Sequence, residues 1–175
     1  GFQYKELLRD HLARSEYQVT DFGTDSVDPV DYPVVIRPVA DAVAAGRFDR
    51  GIVLGGSGNG EAIVANRVPG IRCAVCWNLQ SARLARQHND ANVISLGARF
   101  ILESDLLPII IAWLTPPFKR GRHARRLSLT DAPSPPGLGN HHHSPRPPPA
   151  PPRSRRAADH LCPRSGRPHG GLRIP

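Results

Sequence analysis

GIVLGGSGNGEAIVANR, residues 51–67, decides how the rest of the chain is read. Gly51-Ile52-Val53-Leu54 is apolar without alternation and stops at glycines, which predicts a short strand buried on both faces. Glu61 to Arg67 predicts the first turns of a helix that closes near Pro69-Gly70. Strand, glycine-rich turn and helix gather backbone N–H groups at a helix N-terminus, an end that attracts negative charge. Two phosphate loops are excluded by spelling. A P-loop ends in Gly-Lys-Ser/Thr, and this loop ends in Gly-Glu-Ala. A dinucleotide fingerprint begun at Gly56 needs glycine where Glu61 stands. A bound phosphate beside Glu61 would be repelled, whereas a substrate that turns negative only during reaction suits the loop. Its amides, from Ser57 to Gly60, can hold an enediolate oxygen while Glu61 takes the carbon-bound proton. The plainer reading keeps Glu61 as an acid favoured by the helix dipole, worth about a few tenths of a kcal/mol, and the glycines as turn chemistry. At this stretch both readings stand.

Outward from the loop, elements alternate. Residues 2–14 carry Phe2, Leu7, Leu8 and Leu12 at near-helical spacing, and Tyr17 to Asp21 (YQVTD) predicts a short strand. A helix is predicted over Val34 to Ala45, stopped by Gly46. After the 51–54 strand and the helix from 61 come a strand over Arg72 to Trp77 and a helix from Leu79 to His88. Val93 to Leu96 predicts a further strand, Ser104 to Leu114 a helix, and a last basic helix begins near Arg120. Strands separated by helices imply a Rossmann-like α/β fold: three layers around a mostly parallel sheet. Ligands in such folds sit beyond the C-terminal ends of the strands, which places Ser57, Glu61 and Arg99 along one rim. His88 lies at a helix end, and topology alone does not bring it there.

Composition bounds the function classes. The 175 residues allow one domain with a real core. There is no apolar run long enough to cross a membrane, and the amphipathic opening GFQYKELLRDHLARS lacks the apolar region of a signal peptide. Three cysteines, Cys73, Cys76 and Cys162, suit a reducing cytoplasm. Cys73 and Cys76 fall on opposite faces of a strand, which argues against a metal or redox pair. Of the net charge of +8, residues 128–175 supply +5, from seven arginines against two aspartates, and they hold 12 of the 19 prolines. This stretch reads as a disordered tail, its His141-His142-His143 as compositional, and its abrupt turn to Arg, Pro, Gly and His as a shifted reading frame. A nucleic-acid role is not expected, because the tail has no aromatic residue for base stacking.

GIVLGGSGNGEAIVANRVPGIRCAVCW, ARLARQHNDANVISLGAR and GRHARRL, in this order, resemble type B ribose-5-phosphate isomerases in the manner of their actinobacterial branch. The family includes galactose-6-phosphate isomerase subunits, and the likeness spans residues 1–127. It implies a homodimer with shared active sites, no cofactor, no metal, and interconversion of ribose 5-phosphate and ribulose 5-phosphate. It implies that Glu61 moves the proton between carbons 1 and 2, since the cysteine used by another branch is here Gly55. Ser57 matches a hydroxyl that passes protons between substrate oxygens, His88 a residue that helps open the furanose ring, and Asn89 a partner of the intermediate. Gly56, Gly58, Asn59 and Gly60 match the substrate loop; Arg99, Arg122 and Arg126 match arginines that grip phosphate. Family members begin with a strand ending in an Asp-His pair, and GFQYKELL resembles the helix that follows it, so that strand is expected to be missing here. Another sugar phosphate, galactose 6-phosphate or a tetrose phosphate, and a non-catalytic remnant that only binds sugar phosphate remain the competing readings.

Overall fold

Alternation of apolar faces organises the sheet. In the computed structural model, which describes residues 1–132, β1 (Gly51–Gly55), β2 (Cys73–Cys76) and β3 (Val93–Gly97) form a parallel sheet in the order β1-β3-β2. The register pairs Gly51 with Val93 and Gly55 with Gly97 on one side, and Cys73 with Val93 on the other. Successive residues point to opposite faces. Ile94, Leu96 and Cys76 therefore enter one core with Ile52 and Leu54, while Val53 and Val93 enter a second with Cys73. Cys73 and Cys76 thus face apart, as their spacing predicted. Because β3 is central, every one of its five residues is buried.

Each core is closed by helices whose apolar residues recur at helical spacing. α1 (Phe2–Ala13), α4 (Leu79–Asn89) and α5 (Glu103–Leu114) cover one face, through Leu8 and Leu12, Ala82 and Ala85, and Leu106, Ile109, Ile110 and Trp113. α2 (Tyr32–Ala44) and α3 (Asn59–Ala65) cover the other, through Ile36, Ala40 and Val43, and Ala65. The result is the three-layer Rossmann-like arrangement read from the sequence. Pro38 and Pro108 sit inside α2 and α5 and each removes one N–H from its helix; burial of the surrounding apolar residues outweighs that loss. The last helix, α6 (Arg122–Thr130), buries only His123. Gly46 ends α2 with φ +70, the left-handed conformation that suits glycine at such a stop.

One predicted element fails. Tyr17–Asp21 makes no ladder. A strand exists only through its partner's hydrogen bonds, and β1, the nearest edge, pairs on its β3 side alone among the described residues. Between β1 and this segment lies a trough of about 880 Å³, lined by Val19, Phe22, Val39, Val43, Phe48 and Leu54 among others. At the opposite edge the Asn66 amide takes both outward backbone groups of Cys73, accepting from its N–H at 2.8 Å and donating to its carbonyl at 2.9 Å. Smaller differences concern ends: the helix predicted from Glu61 already starts at Asn59, and α6 continues to Thr130. The earlier start of α3 follows from Gly58, its N-cap at positive φ. The tail's histidine triplet and arginines lie outside the described residues.

Candidate active site

The loop after β1 is held by close backbone packing against the end of β3. A Cβ on Gly97 would stand 2.5 Å from the Ser57 carbonyl oxygen, and one on Gly58 would stand 3.2 Å from Gly97 N. Only glycine permits that approach. Buried Ser95 then donates its hydroxyl to the Gly58 carbonyl at 2.6 Å, and Ala98 N–H and Arg99 N–H donate to the carbonyls of Gly55 and Gly56. Gly58, φ +82, turns the chain into α3, so the amides of Asn59 and Gly60 stand at the helix N-terminus. The Ser57 hydroxyl accepts from Asn59 N–H at 3.3 Å.

Glu61 folds back from α3 into space that Gly55 leaves empty. A Cβ on Gly55 would lie 1.7 Å from Glu61 Oε1, so a side chain at 55 and this carboxylate exclude one another. Glu61 is 7% exposed, and no group of the described residues donates a hydrogen bond to its carboxylate. It opens onto the end of the trough beside Gly56 and Arg99. The Arg99 guanidinium lies over Gly56, where an added Cβ would be 3.4 Å from its Cζ. Gly56, Ser57, Gly58, Asn59, Gly60, Glu61 and Arg99 therefore share the rim. Sequence reasoning missed Tyr32, whose ring covers Gly60 so closely that a Cβ there would be 2.9 Å from Cζ. Its only signal was an aromatic two residues before the predicted helix, which in the structure starts at Tyr32 itself.

The other four predicted residues stand elsewhere. α4 returns to the start of β3, where Gly51 N–H donates to the Asn92 carbonyl. His88 and Asn89, at the end of α4, are thus at the N-terminal edge of the sheet. Glu61 is beyond its C-terminal edge, about 13 Å away along a five-residue strand. Arg122 and Arg126 go with His88: its ring stacks on His123 of α6 at 4.1 Å with 8° between planes, and Lys119 N–H donates to the Gln87 carbonyl. The predicted residues of one chain thus fall into two halves set apart, an acid–amide rim and a histidine–arginine base.

Comparison with known proteins decides what these halves belong to. A family model described as Ribose/Galactose Isomerase matches residues 1–129. This chain belongs to the ribose/galactose isomerase family. Ribose-5-phosphate isomerase B of Mycolicibacterium paratuberculosis is 43% identical over 131 residues, 74% of this chain and 82% of that protein. The Escherichia coli protein of the same name is 41% identical over 132 residues, 75% and 89% of the two chains. Among solved structures, Clostridium thermocellum ribose-5-phosphate isomerase B superposes with TM-score 0.73 at 46% identity, covering 75% of this chain and 88% of that one. The Mycoplasma genitalium enzyme, solved with bound ribulose 5-phosphate, superposes with TM-score 0.72 at 35% identity, with coverage of 75% and 88%.

Two thiols of β2 are held neutral by their surroundings. Burial, then Cys76 and Glu61, pushes the Cys73 thiol up to about 12, and burial pushes Cys76 up to about 11. Both stay protonated and are poor nucleophiles at neutral pH. Among the described residues no cluster of three or more His, Cys, Asp or Glu is placed to hold a metal ion.

Two outcomes are expected. Gly55→Ala should evict the Glu61 carboxylate and lower turnover nearly as far as removing Glu61 does, with the fold retained; paired kinetics and circular dichroism check this. His123 is held below its ordinary value of 6.5 by burial first and then by His88, Arg122, Arg126 and Lys119. A lowered histidine favours its neutral form in the folded chain, so its contribution is present above about pH 6.5 and fades as pH falls through the folded value. Thermal unfolding across that window should show a smaller acid loss in His123→Phe than in the wild type.

Proposed function

We propose that this chain is an aldose–ketose isomerase that interconverts ribose 5-phosphate and ribulose 5-phosphate by proton transfer through an enediolate. The observation that carries the reading is the Glu61 carboxylate lodged in the Cβ space of Gly55, beside the loop amides. In the proposed mechanism Glu61 removes the proton from one carbon and returns it to the next. Between the two transfers the electron pair left behind charges the substrate oxygen, and the amides between Ser57 and Gly60 stabilise it where it forms. Ser57 relays protons between the two oxygens, and Arg99 supplies a fixed positive charge at the rim. His88 assists ring opening, Asn89 holds the intermediate, and Arg122 and Arg126 bind the phosphate as planar donor forks.

Those last four stand at the far end of the sheet from Glu61, which supports a homodimer in which each site combines the rim of one chain with the base of its partner. A two-fold axis delivers this pairing twice, since the same patch faces itself. We assign residues 1–127 to the isomerase domain. The trough along β1 supports the reading that a further strand, ending in Asp-His next to Glu61, belongs there. Residence in the cytoplasm is part of the proposal; it is supported by free Cys73 and Cys76 and by the absence of a membrane-length apolar helix among the described residues.

Glu61→Gln should lower turnover of ribose 5-phosphate by about 10²–10⁴-fold with little change in substrate binding. Turnover is measured for the chain as given and for the chain extended at Gly1 by an apolar strand ending in Asp-His. Co-expression of Glu61→Gln and His88→Ala chains tests the sharing. The co-expressed pool should regain roughly a quarter of wild-type activity, because half the dimers are mixed and each holds one intact site of two. Near-normal turnover in Glu61→Gln would remove it as the base, and no recovery on mixing would place each site within one chain.

A further inference from the structure

α6 presents Arg122 and Arg126 but has little to keep it in place. It buries one side chain, His123, and leaves Leu129 69% exposed. Helices in proteins are held mainly by packing of an apolar face, so α6, which rests on the His123–His88 stack, needs a further hold at its other end. Its flank carries Lys119, Arg120, Arg122, Arg125 and Arg126, and the acid that follows is Asp131, at the C-cap. A carboxylate there opposes the negative end of the helix dipole. Asp131 is therefore poorly explained by α6 itself.

Its partner is Arg72, which lies in neither half. Arg72 immediately precedes β2, and its side chain reaches under the end of α4. Nε donates to the Asn89 carbonyl at 3.0 Å and to the Asp90 carbonyl at 3.3 Å. Nη2 binds the Asp90 carboxylate at 3.0 Å, and Nη1 reaches Asp131 at 3.2 Å. Asp90 stands at φ 47, an uncommon conformation for a residue with a side chain, and is also bound by Arg86. The Arg72 backbone is fixed as well, its N–H donating to the Asn92 side chain at 2.8 Å. An ordinary exposed ion pair gains little, because two mobile side chains must be ordered to make it. Here the guanidinium is already ordered by the turn after α4, so Asp131 meets a preset donor.

We propose that Arg72 is a positioning residue, a clamp that locks the end of α6 to the turn carrying His88 and Asn89. It would fix the spacing between the phosphate-gripping arginines and the ring-opening histidine. The inference rests on the proposed roles of those residues. A planar fork with several donors suits the task; a lysine cannot reach the Asn89 and Asp90 carbonyls and both carboxylates at once.

Asp131→Asn tests the clamp without disturbing the α4 turn, with Arg72→Lys as the second variant and Arg126→Ala as the reference. Affinity for inorganic phosphate is measured by calorimetry on the full chain, which needs no turnover, and KM for ribulose 5-phosphate is measured beside KM for unphosphorylated ribulose. Hydrogen exchange follows residues 119–131. Asp131→Asn and Arg72→Lys should each weaken phosphate binding and raise KM for the phosphorylated sugar by roughly 3–30-fold, the scale of coupling within one ion-pair network. The unphosphorylated sugar should change little, the melting temperature should hold in Asp131→Asn, and α6 should exchange faster. If Arg126→Ala weakens phosphate while both clamp variants match the wild type in affinity and exchange, the clamp is wrong. If Arg126→Ala leaves phosphate affinity unchanged, the phosphate role itself fails and takes the clamp with it.

Discussion

The carboxylate of Glu61 and the missing side chain of Gly55 are two halves of one packing constraint. Because the acid fills the glycine's vacant position, it is buried yet aimed at the strand end rather than at solvent. Everything around it serves that placement. Gly97 lets the loop lie against β3, Ser95 ties the loop's carbonyl from beneath, and Gly58 turns the chain so that α3 begins one residue later. A larger residue at 55 would displace the Glu61 carboxylate itself, and one at 58 or 97 would push the loop off β3. The glycines are thus packing requirements, each with a named neighbour, and the catalytic reading inherits its geometry from them.

Chain direction explains why the remaining residues sit apart. In a parallel sheet every helix that follows a strand must travel back to the start of the next one. Whatever lies at the end of α4 is therefore carried away from the rim on which α3 begins, and α6 follows by stacking on His88. On the proposed reading, the two sets meet between two copies of the chain, related by a two-fold axis.

Much of this was legible in the sequence because the signals were local. Unalternated Ile52-Val53-Leu54 and Val93-Ile94-Ser95-Leu96 announced strands buried on both sides, and the glycine run announced a tight turn into a helix. The parity of Cys73 and Cys76 told which faces they would take. What stayed hidden depends on contacts distant in the chain. YQVTD has the composition of a strand but no neighbour to pair with, and composition cannot report a neighbour. Tyr32 comes to Gly60 across 28 positions, and Arg72 comes to Asp131 across 59. Arg72 looked like any basic residue beside a strand, since its four acceptors come from a turn and a helix end that periodicity does not join. The separation of His88 from the rim was visible as a doubt about topology. The stacking that carries α6 with it was not.

The side chain of Asn66 acts as a stopper. By occupying both outward backbone groups of Cys73, it stands in for the first rung of a ladder that another strand would otherwise build on β2. β2 is only four residues long, so little templating surface remains there for an incoming chain. Growth of the sheet is thereby polarised: one border is plugged by a single amide, and the other, along β1, stays receptive. A strand arriving from another chain would meet a dead end at β2.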